Sequence, residues 1–329
     1  LPLLRDIGEK TALEKMSQIL GKQWRCPTLS PGDDAVCAGI GFENIIVKID
    51  GGSIDTSKAP WMGYYDVGWL WVTATASDLA AKAAKPIVFL ISVGLNPSLP
   101  EDALYEVIKG AIDSAHIHGA WLGGGDTNSS KDIGWVDVAG IGVVQLQPPG
   151  RRPQPGDLVF ITTGRLGVTG AVLHSLASGT WRKAMHEYPS FFNEFDRPRA
   201  RIEFADLYRI VGADCITASI DISDGLAETL YQLAEAGNST VEIRELPLSK
   251  EVLRYAEENN VNPLDLVLYG GQEYEIVFTA KQECREDVIG EAQRLGLRVK
   301  AIGVIRKGAP KVVYRGSLIA RRGWDNFKA

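Results

Sequence analysis

Aspartate beside glycine or serine recurs along this 329-residue chain in a pattern suited to holding multivalent cations. Five segments carry it: Gly32-Asp33-Asp34, Ile49-Asp50-Gly51-Gly52, Ala76-Ser77-Asp78, Gly124-Gly125-Asp126-Thr127 and Asp221-Ile222-Ser223-Asp224-Gly225. In each, an apolar or small-residue stretch ends and an aspartate follows where the backbone is expected to turn. Singly they are ordinary turn and helix-cap sequences. Together they predict clustered carboxylates, which repel one another unless a multivalent cation sits among them. Oxygen-only donors select Mg2+ or Ca2+, and Mg2+ usually takes one or two carboxylates plus phosphate oxygens. A nucleotide is therefore the expected second component. No GxxxxGK[ST] or GxSxG is present, and no GxGxxG follows a first strand, so P-loop, serine-hydrolase and hydride-transfer chemistry have no support. Gly164–Gly170 reads either as a phosphate-cradling turn or as a plain strand–helix connection.

Fewer signals surround these aspartates. Arg151-Arg152 is either a phosphate clamp or an exposed basic pair. Tyr269 to Glu275 puts a glycine pair and two carboxylates before a strand, as a substrate-orienting loop or a tight turn. Trp324 lies near the end of the sequence, where it packs down or stacks on a planar ring. His116-Ile117-His118 reads as the end of a helix before Gly119 rather than as a metal pair. Cys26, Cys37, Cys215 and Cys284 form no CxxC pair, which predicts reduced structural thiols in a cytoplasmic protein and no zinc site.

The elements that must position the aspartates alternate in type. A helix is expected over Ile7–Leu20, a strand over Ile45–Asp50, a small-residue helix over Tyr65–Ala84 and a buried strand over Pro86–Leu95. Leu104, Val107, Ile108, Ala111 and Ile112 recur at helical spacing and predict a helix over Asp102–Gly119. A short strand Ala120–Leu122 should run into the glycine turn, with another strand at Trp135–Val144. Residues 145–156 hold four of the sixteen prolines, and proline cannot donate to a ladder, so the domain boundary is placed here, dividing 1–148 from 149–329. In the second half, strands are expected at Leu158–Thr162, Ala218–Asp221, Glu242–Arg244, Glu275–Thr279, Val299–Val304 and Lys311–Tyr314. Helices are expected through His174, over Arg199–Val211 and Gly225–Ala236, and near Lys250–Asn259 and Arg285–Leu295. The alternation predicts α/β or α+β layering in both halves.

Composition narrows the partners. The net charge of −6 argues against a protein that lives on nucleic-acid phosphates. No apolar run approaches the roughly 18 residues of a membrane span, and the first residues do not read as a signal peptide. The 35 glycines exceed the usual share of roughly 7%, and ask where the backbone turns tightly or comes close to something else.

In order, the motifs resemble the thiamine-monophosphate kinase family, within the ATP-binding superfamily of aminoimidazole ribonucleotide synthetase. The resemblance rests on Asp6-Ile-Gly-Glu9, Pro31-Gly-Asp-Asp-Ala35, Ser77-Asp-Leu-Ala-Ala81 with Pro86, Gly124-Gly-Asp-Thr127, Asp221-Ile-Ser-Asp-Gly-Leu226, Gly270-Gly-Gln-Glu-Tyr-Glu275 and Gly323-Trp-Asp-Asn-Phe327. It implies a two-domain fold, an N-terminal α/β domain that binds ATP and Mg2+ and dimerises, and a C-terminal α+β domain. It also implies a cytoplasmic homodimer that acts on small molecules, transferring the ATP γ-phosphate in line onto thiamine monophosphate. By resemblance, Asp34, Asp50, Asp78, Asp126, Asp221 and Asp224 would hold Mg2+. Gly125, Asp126, Arg151 and Ser223 would touch ATP, and Ser57, Gln272 and Trp324 the acceptor.

The chain departs from the family pattern on the acceptor side. Lys48-Ile49 stands where a hydroxyl pair precedes the metal-binding aspartate, Ser57 falls near a histidine position, and Gln272 replaces a glutamate. Lys48 either supplies a positive charge or points to solvent. Two other readings stay open: a superfamily relative that uses ATP to activate an oxygen for ring closure or dehydration, and a nucleotide-binding paralogue without turnover.

Overall fold

A computed structural model describes residues 10, 11, 14, 33–40, 43–163 and 166–323. The expected helix over Ile7–Leu20 falls mostly outside these residues, and Trp324 falls wholly outside them. The first sheet comprises β1 (Val36–Ile40), β2 (Glu43–Ser53), β3 (Lys85–Leu95), β4 (Trp121–Ser129) and β5 (Gly134–Val144), in the order β1-β2-β5-β3-β4. All neighbours are antiparallel except β3 and β4, whose connection carries the helix Asp102–Ile117. β5 alternates strictly, with Val136 and Val138 buried and their neighbours half-buried. That inner face is covered by the helix Tyr64–Ala81, which packs against Asp102–Ile117. The two helices meet backbone to backbone. A Cβ at Gly68 would overlap the Val107 carbonyl, and one at Gly110 the Tyr65 carbonyl. Part of the glycine excess is spent on this close crossing.

The second sheet runs β12-β11-β8-β10-β6-β9-β7. Its strands are β6 (Leu158–Thr162), β7 (Ile216–Asp221), β8 (Ser239–Ile243), β9 (Ile276–Ala280), β10 (Val299–Lys307), β11 (Lys311–Tyr314) and β12 (Ser317–Leu318). Helices Leu226–Ala236 and Pro263–Tyr269 cover one side, and Glu203–Val211 and Arg285–Arg294 the other. One apolar core joins the two sheets: Ala76, Leu79 and Ala80 of the first half share it with Phe160, Phe204 and Phe278 of the second. A junction packed this way holds residues from both halves in fixed register.

Three of the expected acidic turns are not turns. Asp50 lies inside β2, Asp126 inside β4, and Asp78 inside the helix Tyr64–Ala81. The glycines beside them serve close approach instead. A Cβ at Gly51 would overlap Asp137 and the Val136 carbonyl, and one at Gly52 would lie 2.8 Å from the Trp71 indole. At Gly125 it would overlap the Ile91 carbonyl of the neighbouring strand. Helices Trp181–Glu187 and Pro189–Asp196 are not legible in the sequence. They are short, and their apolar residues are aromatics (Phe191, Phe192, Phe195) that pack with Trp61 from the first half. The reading of all four cysteines as reduced thiols is also corrected, because Cys215 and Cys284, 69 residues apart, form a disulfide. Sequence spacing could not show that the start of β7 and the turn after β9 are neighbours.

His118 closes the helix Asp102–Ile117 and is structural. Its Nδ1 lies 2.8 Å from the Ser114 carbonyl, and its Nε2 accepts from the Ala200 amide at 3.0 Å. This pattern requires the neutral ring with the proton on Nδ1. Burial, with Arg199 nearby and against the Ser114 carbonyl, lowers its pKa from 6.5 to about 4. The unfolded chain takes up the proton first, so this stabilisation is present above pH 6.5 and is lost as pH falls towards about 4. We predict a loss of about 3 kcal/mol across that window, measured by urea unfolding. His118→Asn should remove this pH-dependent part. Equal acid sensitivity in the two proteins would assign it elsewhere.

Candidate active site

The chemistry-bearing residues converge where the two sheets meet. Asp34 leads into β1, Asp78 lies in the last turns of the helix Tyr64–Ala81, and Asp221 ends β7. One carboxylate oxygen from each lies within 4.8 Å of the others, and all three residues are buried. The junction is fixed by polar contacts between the halves. Ser77 Oγ donates to Asp221 Oδ2 at 2.8 Å, and Ser219 Oγ donates to the Ala81 carbonyl. Lys82 Nζ donates to the Ser219 carbonyl at 2.8 Å.

Three side-chain cations enter this acidic centre. Lys82, at 0% exposure, pairs with Asp33 at 2.7 Å and Asp34 at 2.9 Å. Arg151 bonds the same two carboxylates and donates to Gln232 at 3.0 Å. Lys48 Nζ lies 2.8 Å from Asp78 Oδ2. Burial alone would raise Asp34, but Arg151 and Lys82 overcome it and hold the carboxyl at about 2. Burial works against the Lys48 ammonium as well, yet Asp78 and Asp50 keep it firmly protonated. Asp221 has no cation in contact among the described residues. Burial, and then the charge of Asp34, push it up to about 7. Burial also lifts Asp78 well above the carboxylate range, against the pull of Lys48 and with repulsion from Asp221 and Asp50. Above about pH 7, where Asp221 ionises, the centre therefore carries more negative charge than its own three cations cancel. Its buried trio offers carboxylate oxygens only, the donor set that suits Mg2+. The residues present fit a hard divalent cation.

Two loops close over the end of β7. Gln272 N donates to the Ser223 carbonyl at 2.7 Å, and Tyr274 N to the Ile222 carbonyl at 2.9 Å. Gln272 and Tyr274 adopt φ of 60° and 49°, a left-handed conformation that is costly for side-chain-bearing residues and tends to collect at functional sites. The buried Tyr274 packs with Leu70 and Ala74 from the first half. Glu275, at 0% exposure, anchors the loop by accepting from Arg201 at 2.9 Å and from Thr162.

The remaining sequence-derived residues lie in different places. Asp50 stands on β2 two positions from Lys48, and its Oδ1 accepts from the Gly51 amide at 2.8 Å. Asp126 lies outside the trio, exposed on β4, where it accepts from Asn128 at 2.9 Å; Gly125 precedes it on the same strand. Ser223 and Asp224 occupy the loop after β7. Ser57 ends the short helix Ile54–Ser57, with its Oγ bonded to the Ser53 carbonyl at 2.8 Å. The phosphate-cradle reading of Gly164–Gly170 loses support at Gly167, whose amide already donates to the Glu273 carboxylate at 2.8 Å. A carboxylate at that position opposes an anion. Sequence reasoning missed Lys82, and placed Asp33 in an acidic segment without giving it a role. The signal was present: Lys82 is a lone charge in the small apolar run Leu79–Ala84, four residues after Asp78.

Comparison with known proteins agrees with this architecture. Residues 32–144 match the AIR synthase related protein N-terminal domain, and residues 154–315 the C-terminal domain of the same family. A thiamine-monophosphate kinase from Pyrobaculum calidifontis is 30% identical over 87% of this chain and 88% of its own length. The chain belongs to the thiamine-monophosphate kinase family. Among solved structures, tt0281 from Thermus thermophilus is similar with a TM-score of 0.89 and 34% identity, over 97% of this chain and 100% of that one. AaThiL complexed with AMPPCP and TMP shares the fold, with a TM-score of 0.85 and 24% identity over 99% of each chain. Membership brings the two-domain fold, and the junction between the sheets is where the two family domains meet.

The surplus charge sets an opposite-sign expectation for one substitution. Asp221→Asn keeps an oxygen for Ser77 and removes a buried, uncompensated carboxylate. In EDTA at pH 8 it should stabilise the protein by about 1–3 kcal/mol while abolishing stabilisation by added Mg2+. Destabilisation of the metal-free variant would contradict the surplus of negative charge.

Proposed function

We propose that this protein phosphorylates thiamine monophosphate to thiamine diphosphate, using ATP and Mg2+, by direct in-line transfer. The observation that carries the reading is the buried Asp34–Asp78–Asp221 trio, built from both halves and left with surplus negative charge. Mg2+ bound there would neutralise phosphate charge, which is most of what phosphoryl transfer requires. Asp34, Asp78 and Asp221 are its proposed holders, with Asp50, Asp126 and Asp224 completing the set around the nucleotide and acceptor phosphates. An acceptor that is already an anionic phosphate needs no strong general base, so none is assigned. Gly125, Asp126, Arg151 and Ser223 are proposed for ATP, with Arg151 also holding Asp33 and Asp34 in place. Ser57, Gln272 and Trp324 are proposed for the thiamine side. In this reading residues 1–148 form the ATP-, Mg2+-binding and dimerising domain, and 149–329 the C-terminal domain.

A homodimer is part of the proposal. The face of the first sheet opposite its helices exposes Ile49, Leu90 and Trp121 at 67%, 45% and 56%. Apolar side chains gathered on one sheet face favour burial against another subunit. Among the described residues no helix is long and apolar enough to cross a membrane. We place the protein in the cytoplasm, where ATP is supplied; the Cys215–Cys284 bridge takes away the argument from reduced thiols, so the placement rests on the ATP requirement.

Incubation with ATP, Mg2+ and thiamine monophosphate should yield thiamine diphosphate and equimolar ADP by chromatography. Free phosphate without thiamine diphosphate would replace the kinase reading with oxygen activation. Asp78→Asn should reduce turnover about 100-fold or more with the fold intact by circular dichroism. Leu90→Asp should convert a dimer to monomers in sedimentation; an unchanged mass would remove this face from the interface.

A further inference from the structure

Lys48 is the residue whose place in this centre the family assignment does not explain. β2 alternates, so Lys48 and Asp50 share the face of buried Ile46, while Ile49 points to the opposite, exposed face. Lys48 is thus directed at the helix Tyr64–Ala81, where its ammonium meets Asp78 at 2.8 Å. Its charged neighbours there are acidic: Asp78 in contact, with Asp50 and Asp34 acting through space. The other two cations are committed elsewhere, Lys82 and Arg151 both to Asp33 and Asp34. Among the described residues, Lys48 is therefore the one cation in contact with Asp78, and one of the trio's three members arrives already paired.

We propose that the Lys48 ammonium takes the place of one divalent cation at Asp78, so that this chain assembles its nucleotide site with one metal ion fewer than its carboxylates could hold. This rests on the Mg2+ reading of the aspartate trio. A tethered ammonium supplies a single positive charge without needing a coordination shell, and its concentration in the site does not depend on free metal. Asp221 and Asp50, which no side-chain cation contacts among the described residues, are left wholly to a metal, which would share the trio's remaining oxygens on Asp34 and Asp78. Lys48 acts here as a positioning residue: it orients the Asp78 carboxyl group and excludes a second ion from it.

The test counts ions. Mn2+ is titrated into the full-length protein saturated with AMPPCP, and free Mn2+ is read by electron paramagnetic resonance. Lys48→Ser should bind about one Mn2+ more per chain than the unmodified protein, and its melting midpoint in EDTA should fall and be restored by Mg2+. Lys48→Arg, which keeps the charge, should match the unmodified count. If the serine variant does not fold, Lys48→Met, which keeps volume and removes charge, is read the same way. Equal, non-zero Mn2+ counts in the lysine and uncharged proteins would overturn the role of Lys48 alone. An unmodified protein that binds no Mn2+ beyond that held by free AMPPCP would overturn the metal reading itself.

Discussion

A fully buried ammonium holds this molecule's working parts together. Lys82 Nζ sits between Asp33 and Asp34 on one side and the Ser219 carbonyl on the other. Ion pairs removed from water are costly to form and costlier to break on one side. Here a single cation fixes the segment before β1, the end of the helix Tyr64–Ala81 and the strand β7. Those are the elements that carry Asp34, Asp78 and Asp221. Lys82 thereby helps hold three carboxyl groups within 4.8 Å of one another.

The surrounding structure follows from keeping that junction dry and in register. The helix Tyr64–Ala81 is lined with small residues, so β2 and β5 approach it closely on one side and β7 on the other. Ala76, Leu79 and Ala80 share a core with Phe160, Phe204 and Phe278, so packing supports what the ion pairs specify. The loop that carries Gln272 and Tyr274 is held in left-handed backbone by bonds to the segment after β7. Glu275 and Arg201 pin its far end. Strain of this kind persists only where neighbours over-determine it.

Much of this is legible in the sequence, though not always for the right local reason. The helix expected at Tyr65–Ala84 is found at Tyr64–Ala81, and the one expected at Asp102–Gly119 at Asp102–Ile117. Asp34, Asp78 and Asp221 read as turn residues, yet Asp78 is helical and Asp221 ends a strand. A Gly-Asp or Ser-Asp pair reports a need for small neighbours as readily as a turn, and sequence alone cannot separate the two. Asp126 illustrates the same limit: its neighbour Gly125 answers to the Ile91 carbonyl beside it. The pairing of Cys215 with Cys284 and the companions of Lys82 depend on contacts far apart in the chain, which no local pattern encodes. Lys48 is ambiguous in sequence because a lysine on a half-buried strand can snorkel to water as easily as it can pair inward.

The central claim is that a single buried centre, assembled from both halves, receives a divalent ion. Crystals grown with Mn2+ and AMPPCP, measured at the manganese absorption edge, test it directly. The strongest anomalous peak should lie in direct coordination of carboxylate oxygens from Asp221 and at least one of Asp34 and Asp78. Manganese found only at exposed acids, with the trio holding none, would contradict it.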